Sequence, residues 1–365
     1  MIEILSLCLL CLFFIYCYNL IFFIKLARYK ALHSTYLAPI SIIICAKNEE
    51  LNLKLNLTEV LHQEYKDFEV IVVNDQSIDG SKYYLESLQN DYDNLVVCNL
   101  DEKINTRNGK KFALTIGIKS AKYENLLLID ADCRPNSKKW IEEIVKCFKY
   151  NNVVLGYGSY QKTKSILNRF VRYDTYLIAK QYFSYCLYGY PYMGVGRNLA
   201  YTKNVFFENK GFANHMHIAS GDDDLFIQEV AENNSIGIVV NENSHTISQS
   251  HDKWKNWIYQ KRRHLTTSKL YSLKFKVLLG LYPLSQLFFW SSLFILFFKS
   301  LEIFLILLFF KLLISYVINY ASMKKLNVSD LYLLHPLYEI LFIFIQGIFV
   351  LLNLISQPKK WNYDK

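Results

Sequence analysis

The sequence predicts an α/β domain with a doubly wound, mostly parallel sheet, tied to a membrane by apolar helices at both ends. Three observations carry this reading. Short unbroken runs of Ile, Val and Leu recur through the middle of the chain. They are spaced roughly 26 to 31 residues apart, with helical patterns between them, the length of a strand–helix–strand unit. Long apolar stretches flank this region on either side. The mean hydropathy of +0.10 averages these two materials. With charged residues at 20% and aromatic residues at 16%, a disordered or collagen-like chain is excluded.

The first apolar run, Ile4 to Ile24, is long enough to cross ~30 Å of hydrocarbon. A cleaved signal peptide would want positive charge before the run and small residues after it. Here Glu3 precedes it, and Lys25, Arg28 and Lys30 follow. Residues 1–28 therefore read as an uncleaved anchor, with the N-terminus outside and the next domain in the cytosol. Residues 276–365 hold three more candidates: Val277–Phe298, Ile303–Ala321 and Leu331–Ile355. Lys274 and Lys276 precede the first and Lys324 and Lys325 follow the second, as a hairpin with both ends cytosolic would have them. The third then carries Lys359 and Lys360 outside. One segment is therefore expected to lie in the interface or re-enter, with Pro283 or Pro336 as its marker. Lys311 and Glu339 inside these runs read as protein-facing, snorkelling or functional. The spans are read as lacking paired charges, and with no ATPase loop in the middle of the chain a transporter is disfavoured.

Residues 29–275 form the globular region. Ile40–Cys45, Glu69–Asn74, Leu95–Cys98 and Leu126–Ile129 read as strands buried on both faces. Leu51–Gln63 and Lys110–Ala121 read as helices between them. In such sheets ligands bind beyond the carboxyl ends of the strands. After the first strand comes AKNEE, after the second DQSIDG, after the fourth DAD. Asp79 in the second cluster also reads as a helix cap. Asp130 and Asp132 read as pointing into one cleft, where two carboxylates need a cation; Mg²⁺ usually shares its coordination with substrate phosphates. No phosphate loop of the G-x-x-x-x-G-K-[ST] type and no G-x-G-x-x-G after a strand is present, which excludes P-loop ATPases and nicotinamide enzymes.

The net charge of +9 comes from 41 basic against 32 acidic residues. The basic residues cluster beside apolar spans, as anionic lipid favours, with no zinc-finger spacing or long basic block for nucleic acid. Three of eight cysteines sit in the first apolar run and the rest singly, which predicts reduced thiols. Tyr160–Leu187 is helical in pattern and is expected either on the bilayer surface or in the core of the catalytic domain.

The segments ISIIICAKNEE, EVIVVNDQSIDG, RNGKKFALTIGIKSA, LLLIDADCRP, GVGRNLAY, GDDDL and QKRRH, in this order and with these separations, resemble glycosyltransferase family 2 over about Ile40 to Leu265. These are inverting nucleotide-sugar enzymes with the GT-A fold. The flanking apolar segments are similar to those of membrane-bound bacterial members such as the cellulose, hyaluronan and poly-N-acetylglucosamine synthases.

The resemblance implies roles. Asn48, Glu49 and Asp75 would line the nucleoside pocket, with Asn74 standing where the family usually writes an acid. Lys110 would approach the base or the phosphates; otherwise it and Lys111 form a solvated first helical turn. Asp130 and Asp132 would be the D-x-D, Asp132 holding Mg²⁺ or Mn²⁺ and Asp130 the ribose or a metal-bound water. An ion bridging both phosphates would stabilise the departing diphosphate. Gly194, Gly196, Arg197 and Asn198 would shape the donor-sugar and acceptor site. A one-step inverting displacement needs one carboxylate to take the acceptor proton. Asp223 is the preferred base in GDDDL, and Asp222 is the base under the alternative register. Gln260, Arg263 and His264 resemble Q-x-x-R-W, Arg263 meeting the diphosphate. His264 replaces the Trp that usually stacks on an acceptor sugar, which weakens the case for processive polymerisation. His215, His217, His245 and His251 read as ordinary surface or loop residues.

The expected protein is a membrane-bound, metal-dependent hexosyltransferase. It would transfer from a nucleotide-sugar, UDP before GDP, to a lipid-linked or glycan acceptor, with membrane lipids as partners and no nucleic acid. The catalytic domain is expected in the cytoplasm and the chain in the cell membrane as a multi-pass protein. Alternatives are a processive polysaccharide synthase and a catalytically inactive membrane scaffold of the same fold.

Overall fold

The computed structural model describes residues 1–31, 34–100, 109–218, 220–356 and 358. They form two compact units. One comprises Ala31–Gln161 and Pro191–Ser250, the other Met1–Lys30, Lys162–Tyr190 and His251–Pro358.

The first unit is the α/β domain. Strands β1 (Ile40–Ala46), β2 (Phe68–Asn74), β3 (Leu95–Asn99) and β4 (Asn125–Leu128) pair in parallel in the order β3-β2-β1-β4. Each lies within one residue of its expected position. Side chains on both faces of β1 and β2 are buried, which is why these segments read as continuous apolar runs rather than alternating ones. Helices Glu50–Leu61 and Gly109–Ser120 connect them, at the expected places. The chain steps outward from β1 to β3, then returns to the far side of β1 at β4. That reversal brings the loops after β1, β2 and β4 to one edge.

Beyond β4 the sheet is mixed. With β5 (Cys133–Pro135), β6 (Val153–Leu155), β7 (Gly158–Tyr160), β8 (Leu199–Thr202), β9 (Ile236–Ile238) and β10 (Thr246–Ser248) defined, β8 runs antiparallel to β4 and to β6, and β9 closes the seven-stranded sheet. A second sheet, β5-β10-β7, holds the segments next to Asp132 and Arg197. Its three-residue strands are too short to leave a period in the sequence.

The second unit is helical. Among the described residues, four helices are long and apolar enough to cross a membrane: Ile2–Arg28, Leu273–Lys299, Leu301–Lys325 and His335–Ile355. The first includes a π-helical turn, Asn19–Phe23. Pro283 lies inside its helix and Pro336 in the first turn of the last one, so neither interrupts a span. A proline in the first turn displaces no intrahelical bond. Lys359 and Lys360, on which the expectation of a re-entrant segment rested, lie outside the described residues.

Two expectations for this unit are corrected. The apolar helices do carry a charge pair: Lys311 Nζ sits 2.6 Å from Glu339 Oε2, with Gln286 Nε2 donating to Glu339 Oε1 at 2.9 Å. The second concerns Tyr160–Leu187. The helix there spans Ile166–Tyr188, is mostly buried in the helical unit and does not form part of the α/β core. Its polar side chains find their partners among the apolar helices and their loops. Arg172 forks onto Asp330, Tyr173 Oη meets His335 Nδ1 at 2.7 Å, Lys180 donates to Asn319, and Asp174 pairs with Lys261. For the same reason 162–190 and 251–275 group with the four apolar helices, and this grouping differs from the division at 29 and 275. All eight cysteines are free thiols, as their placement implied.

Candidate active site

The site is assembled at the edge where β1, β2 and β4 end. Asn48 takes a positive φ of 56°, and its Oδ1 accepts from the Ile78 amide at 2.8 Å while its own amide donates to Ser77 Oγ. Asn tolerates this backbone region better than most residues. Asn48 thus ties the β1 and β2 loops together. Glu49 donates its amide to Ser81 Oγ and accepts from Asn52 Nδ2. Asp79 accepts from the amides of Glu50 and Ser81, closing the same clasp.

Asp75 is buried beside this clasp. Its amide bonds Ala46 O at 2.8 Å, and its Oδ2 lies 3.3 Å from Lys47 Nζ. Its Oδ1 is buried and, among the described residues, has no hydrogen-bond partner. A carboxylate oxygen left in that state is costly unless a ligand donor meets it.

The centre of the site is Lys110. Its ammonium lies 2.8 Å from Asp130 Oδ1 and 2.9 Å from Asp222 Oδ2, joining the end of β4 to the loop before the Asp224–Val230 helix. Burial alone would depress the ammonium, but the two carboxylates outweigh it and hold Lys110 well above the usual lysine range. Lys110 is thus a positive partner shared by Asp130 and Asp222. Asp132 is exposed and accepts from Cys133 Sγ at 3.3 Å. Among the described residues, no three His, Cys, Asp or Glu side chains converge as a metal cage. The donor set fits an ion held by Asp132 and substrate phosphates, as Mg²⁺ is commonly bound, and not one held by protein alone.

The GDDDL stretch separates its carboxylates by environment. Gly221, at φ 99°, makes the turn. Asp222 is buried; burial pushes its carboxyl up, but Lys110 outweighs that and holds it below the usual range. Asp223 caps the helix, its Oδ1 accepting from the Asp224 amide at 2.8 Å and its Oδ2 from the Gly196 amide at 3.2 Å. Burial, then the adjacent Asp222 and Asp224, push its carboxyl from 3.8 up to about 7. Gly196 also gives Lys110 room, since a Cβ there would stand 3.3 Å from its Nζ.

Lys111, expected in a solvated turn if not at the donor, is buried. Its Nζ donates to His215 O at 2.6 Å and Ile218 O at 3.2 Å, fastening the segment that leads into GDDDL. Desolvation lowers it to about 8. The signal for this was the spacing of Lys111, Leu114 and Ile118, one buried helical face. His215 and His245 are likewise buried, not at the surface: His215 Nδ1 lies 3.1 Å from Glu229, and His245 Nε2 lies 3.3 Å from Val240 O.

Arg197 packs its guanidinium 4.5 Å from the Tyr160 ring centroid and donates to Ser248 Oγ at 3.0 Å. Asn198 is fully buried, accepting from Trp140 Nε1 and donating to Tyr157 O and Ser244 O; it fastens the loop and does not line an open site. Gln260, Arg263 and His264 lie on the Trp254–His264 helix of the helical unit. There Lys261 is taken up by Asp174 and Arg262 by Asn353 and the C-terminal carbonyls of the His335–Ile355 helix, while Arg263 Nη2 lies 3.2 Å from His264 Nε2.

The family model described as "Glycosyl transferase family 2" matches residues 41–214. An uncharacterized glycosyltransferase of Haemophilus influenzae is 28% identical over 128 residues, 33% of this chain and 36% of that protein. Glycosyltransferase AglE of Haloferax volcanii is 32% identical over 126 residues, 34% of this chain and 40% of that protein. The match thus spans well under half the length of these relatives. A mannosyltransferase from Pyrobaculum calidifontis, solved in complex with GDP-Man and Mn²⁺, superposes with a TM-score of 0.57 at 15% identity, covering 90% of this chain and 98% of that one. GDDDL and the Trp254–His264 helix lie beyond the matched family segment. The chain carries a glycosyl transferase family 2 domain, over residues 41–214, on a GT-A fold.

Proposed function

We propose that this chain is a membrane-bound, inverting hexosyltransferase that moves a sugar from a nucleotide-sugar to a lipid-linked or glycan acceptor. The observation that carries the reading is the division of labour in GDDDL. Lys110 keeps Asp222 ionised and engaged, while Asp223, next to it, has a carboxyl near 7. A general base works best when its pKa lies near the operating pH.

In this reading Asp75 Oδ1 receives a donor from the nucleobase, and Asn48 and Glu49 fix the loops around it. Asp132 holds Mg²⁺ or Mn²⁺ together with the phosphates, Asp130 facing the ribose. When bound there, the ion neutralises charge building on the departing nucleoside diphosphate. Lys110 supplies a further positive charge beside the phosphates. Arg197, stacked on Tyr160, shapes the sugar pocket. Asp223 takes the proton of the acceptor hydroxyl as that oxygen attacks the anomeric carbon from the face opposite the leaving group. Gln260, Arg263 and His264 are the proposed diphosphate and acceptor contacts on the helical unit. UDP-sugars are the preferred donors; the GDP-Man of the structural neighbour keeps GDP-sugars in the screen.

The four apolar helices are proposed to span the cell membrane, with Lys25, Arg28 and Lys30 holding the catalytic domain in the cytoplasm, where nucleotide-sugars are made. The domain boundaries at 29 and 275 are kept as the functional division. The deciding experiment is a screen of nucleotide-sugars for metal-dependent hydrolysis or transfer by the detergent-solubilised chain. Absence of turnover with every donor would favour the inactive-scaffold alternative, and a long polymer product the processive synthase.

A further inference from the structure

The helical unit carries a basic cavity outside the active site. It is a half-open cavity of about 530 Å³ whose lining combines Lys162, Thr163, Lys164, Arg169 and Asp330 with Leu331, Leu334 and Tyr338. Asp330 is the one carboxylate lining it, and it is already committed. Arg172, buried, grips it through two bonds of 2.8 and 2.6 Å, and Lys162 lies 3.1 Å away. These cations hold the Asp330 carboxyl down at about 2, so it stays ionised and satisfied. Lys164 and Arg169 are exposed, and among the described residues neither has an ion-pair partner. The cavity therefore has surplus positive charge.

Its position fixes what can match that charge. Asp330 and Leu331 lie in the short connection between the Leu301–Lys325 and His335–Ile355 helices, and Leu334 and Tyr338 begin the latter. Lys324 and Lys325 end the preceding helix. Leu334, in the lining with the cations, is exposed, as are Leu333 and Leu337 near it in sequence. Exposed leucines next to unpaired basic side chains suit the boundary between headgroups and acyl chains. A soluble anion leaves the leucines in water, and an acidic protein surface rarely brings the apolar chains that would cover them.

We propose that this cavity is a binding site for the headgroup of an anionic phospholipid, with Lys164 and Arg169 on the phosphate and Leu334 and Tyr338 against the glycerol and acyl roots. Arg172 and Asp330 shape the floor. The inference rests on the reading of the four helices as membrane spans.

The test uses the full chain in a neutral detergent. Thermal unfolding is followed with short-chain phosphatidylglycerol, short-chain phosphatidylcholine or inorganic phosphate added. The expected result is a rise in midpoint with phosphatidylglycerol alone, by linkage of binding to the folded state. Lys164→Ala with Arg169→Ala should remove at least half of that rise, while a charge-matched Lys119→Ala with Lys138→Ala retains it. Equal stabilisation by phosphatidylcholine, the same rise with inorganic phosphate, no rise at all, or full retention in the Lys164/Arg169 variant would overturn the assignment. Carbonate extraction of cell membranes tests the spans separately, so loss of one reading is distinguishable from loss of the other.

Discussion

Asp223→Asn replaces the proposed base by a side chain of nearly the same shape that still caps the helix but accepts no proton at neutral pH. The magnitude follows from the site. A carboxyl at about 7, against an ordinary 3.8, is about three pKa units, and so on the order of a thousandfold, more basic than a solvated Asp. Losing a positioned base typically costs ~10²–10⁴ in rate. Transfer should fall by that factor, while affinity for the nucleotide-sugar, read by calorimetry, changes little because Asp75 and Asp132 are intact. The parent's rate should climb with pH and level off above about 7 as Asp223 ionises. Asp222→Asn removes a like charge from Asp223, so the acidic limb should move down by on the order of one pH unit with a smaller loss of rate. Stability separates chemistry from misfolding. The folded state holds the Asp223 proton that the unfolded chain has already released, so this contribution is present below about pH 4 and lost as pH rises through 7. The Asp223→Asn protein should therefore be at least as stable as the parent at pH 8. If Asp222→Asn proves the more damaging change, the base is Asp222; if neither slows transfer tenfold, the base lies outside GDDDL and the reasoning fails.

Activity should vanish in excess chelator and return with Mn²⁺ or Mg²⁺, and Asp132→Ala should abolish it; full turnover in chelator refutes the role of Asp132. Lys111→Met strips donors from the carbonyls of His215 and Ile218, at a cost of ~2–4 kcal/mol, visible as a lowered thermal midpoint. An unchanged midpoint would mean those carbonyls find other donors. Lys311→Met leaves Glu339 without its cation and should cost ~3–5 kcal/mol, most of it recovered by adding Glu339→Gln. A double variant no more stable than the single one would show that the ion pair is not what the span interior requires. A tag within 29–275 should resist external protease in intact cells, and cleavage from outside would reverse the proposed orientation.

Much was decided by the sequence alone. Strands buried on both faces are apolar at most positions, so Ile40–Cys45, Glu69–Asn74, Leu95–Cys98 and Leu126–Ile129 announce themselves despite Ser41, Glu69 and Asn74, and their spacing points to a parallel sheet. The residues that follow them must then converge at one edge. Apolar length likewise marks the four helices long enough to cross a membrane, because hydrocarbon thickness sets a minimum. What the sequence left open depends on partners distant in the chain. Whether Asp130 meets a metal or Lys110, and whether Asp222 or Asp223 is held ionised, turns on where a single ammonium lands. That position is set by how the Gly109–Ser120 helix packs on β1 and β2, which brings the Lys110 ammonium to Asp130 and Asp222. Lys111, one residue on, looks identical in sequence yet reaches the carbonyls of His215 and Ile218 instead. The three-residue strands of the second sheet carry no period to read. The helix at Ile166–Tyr188 has the composition of an interfacial segment, and only its bonds to Asn319, Asp330 and His335 show that it packs with the apolar helices. Periodicity reports which face of an element is dry; the pairing of charges within that dry face is a tertiary fact.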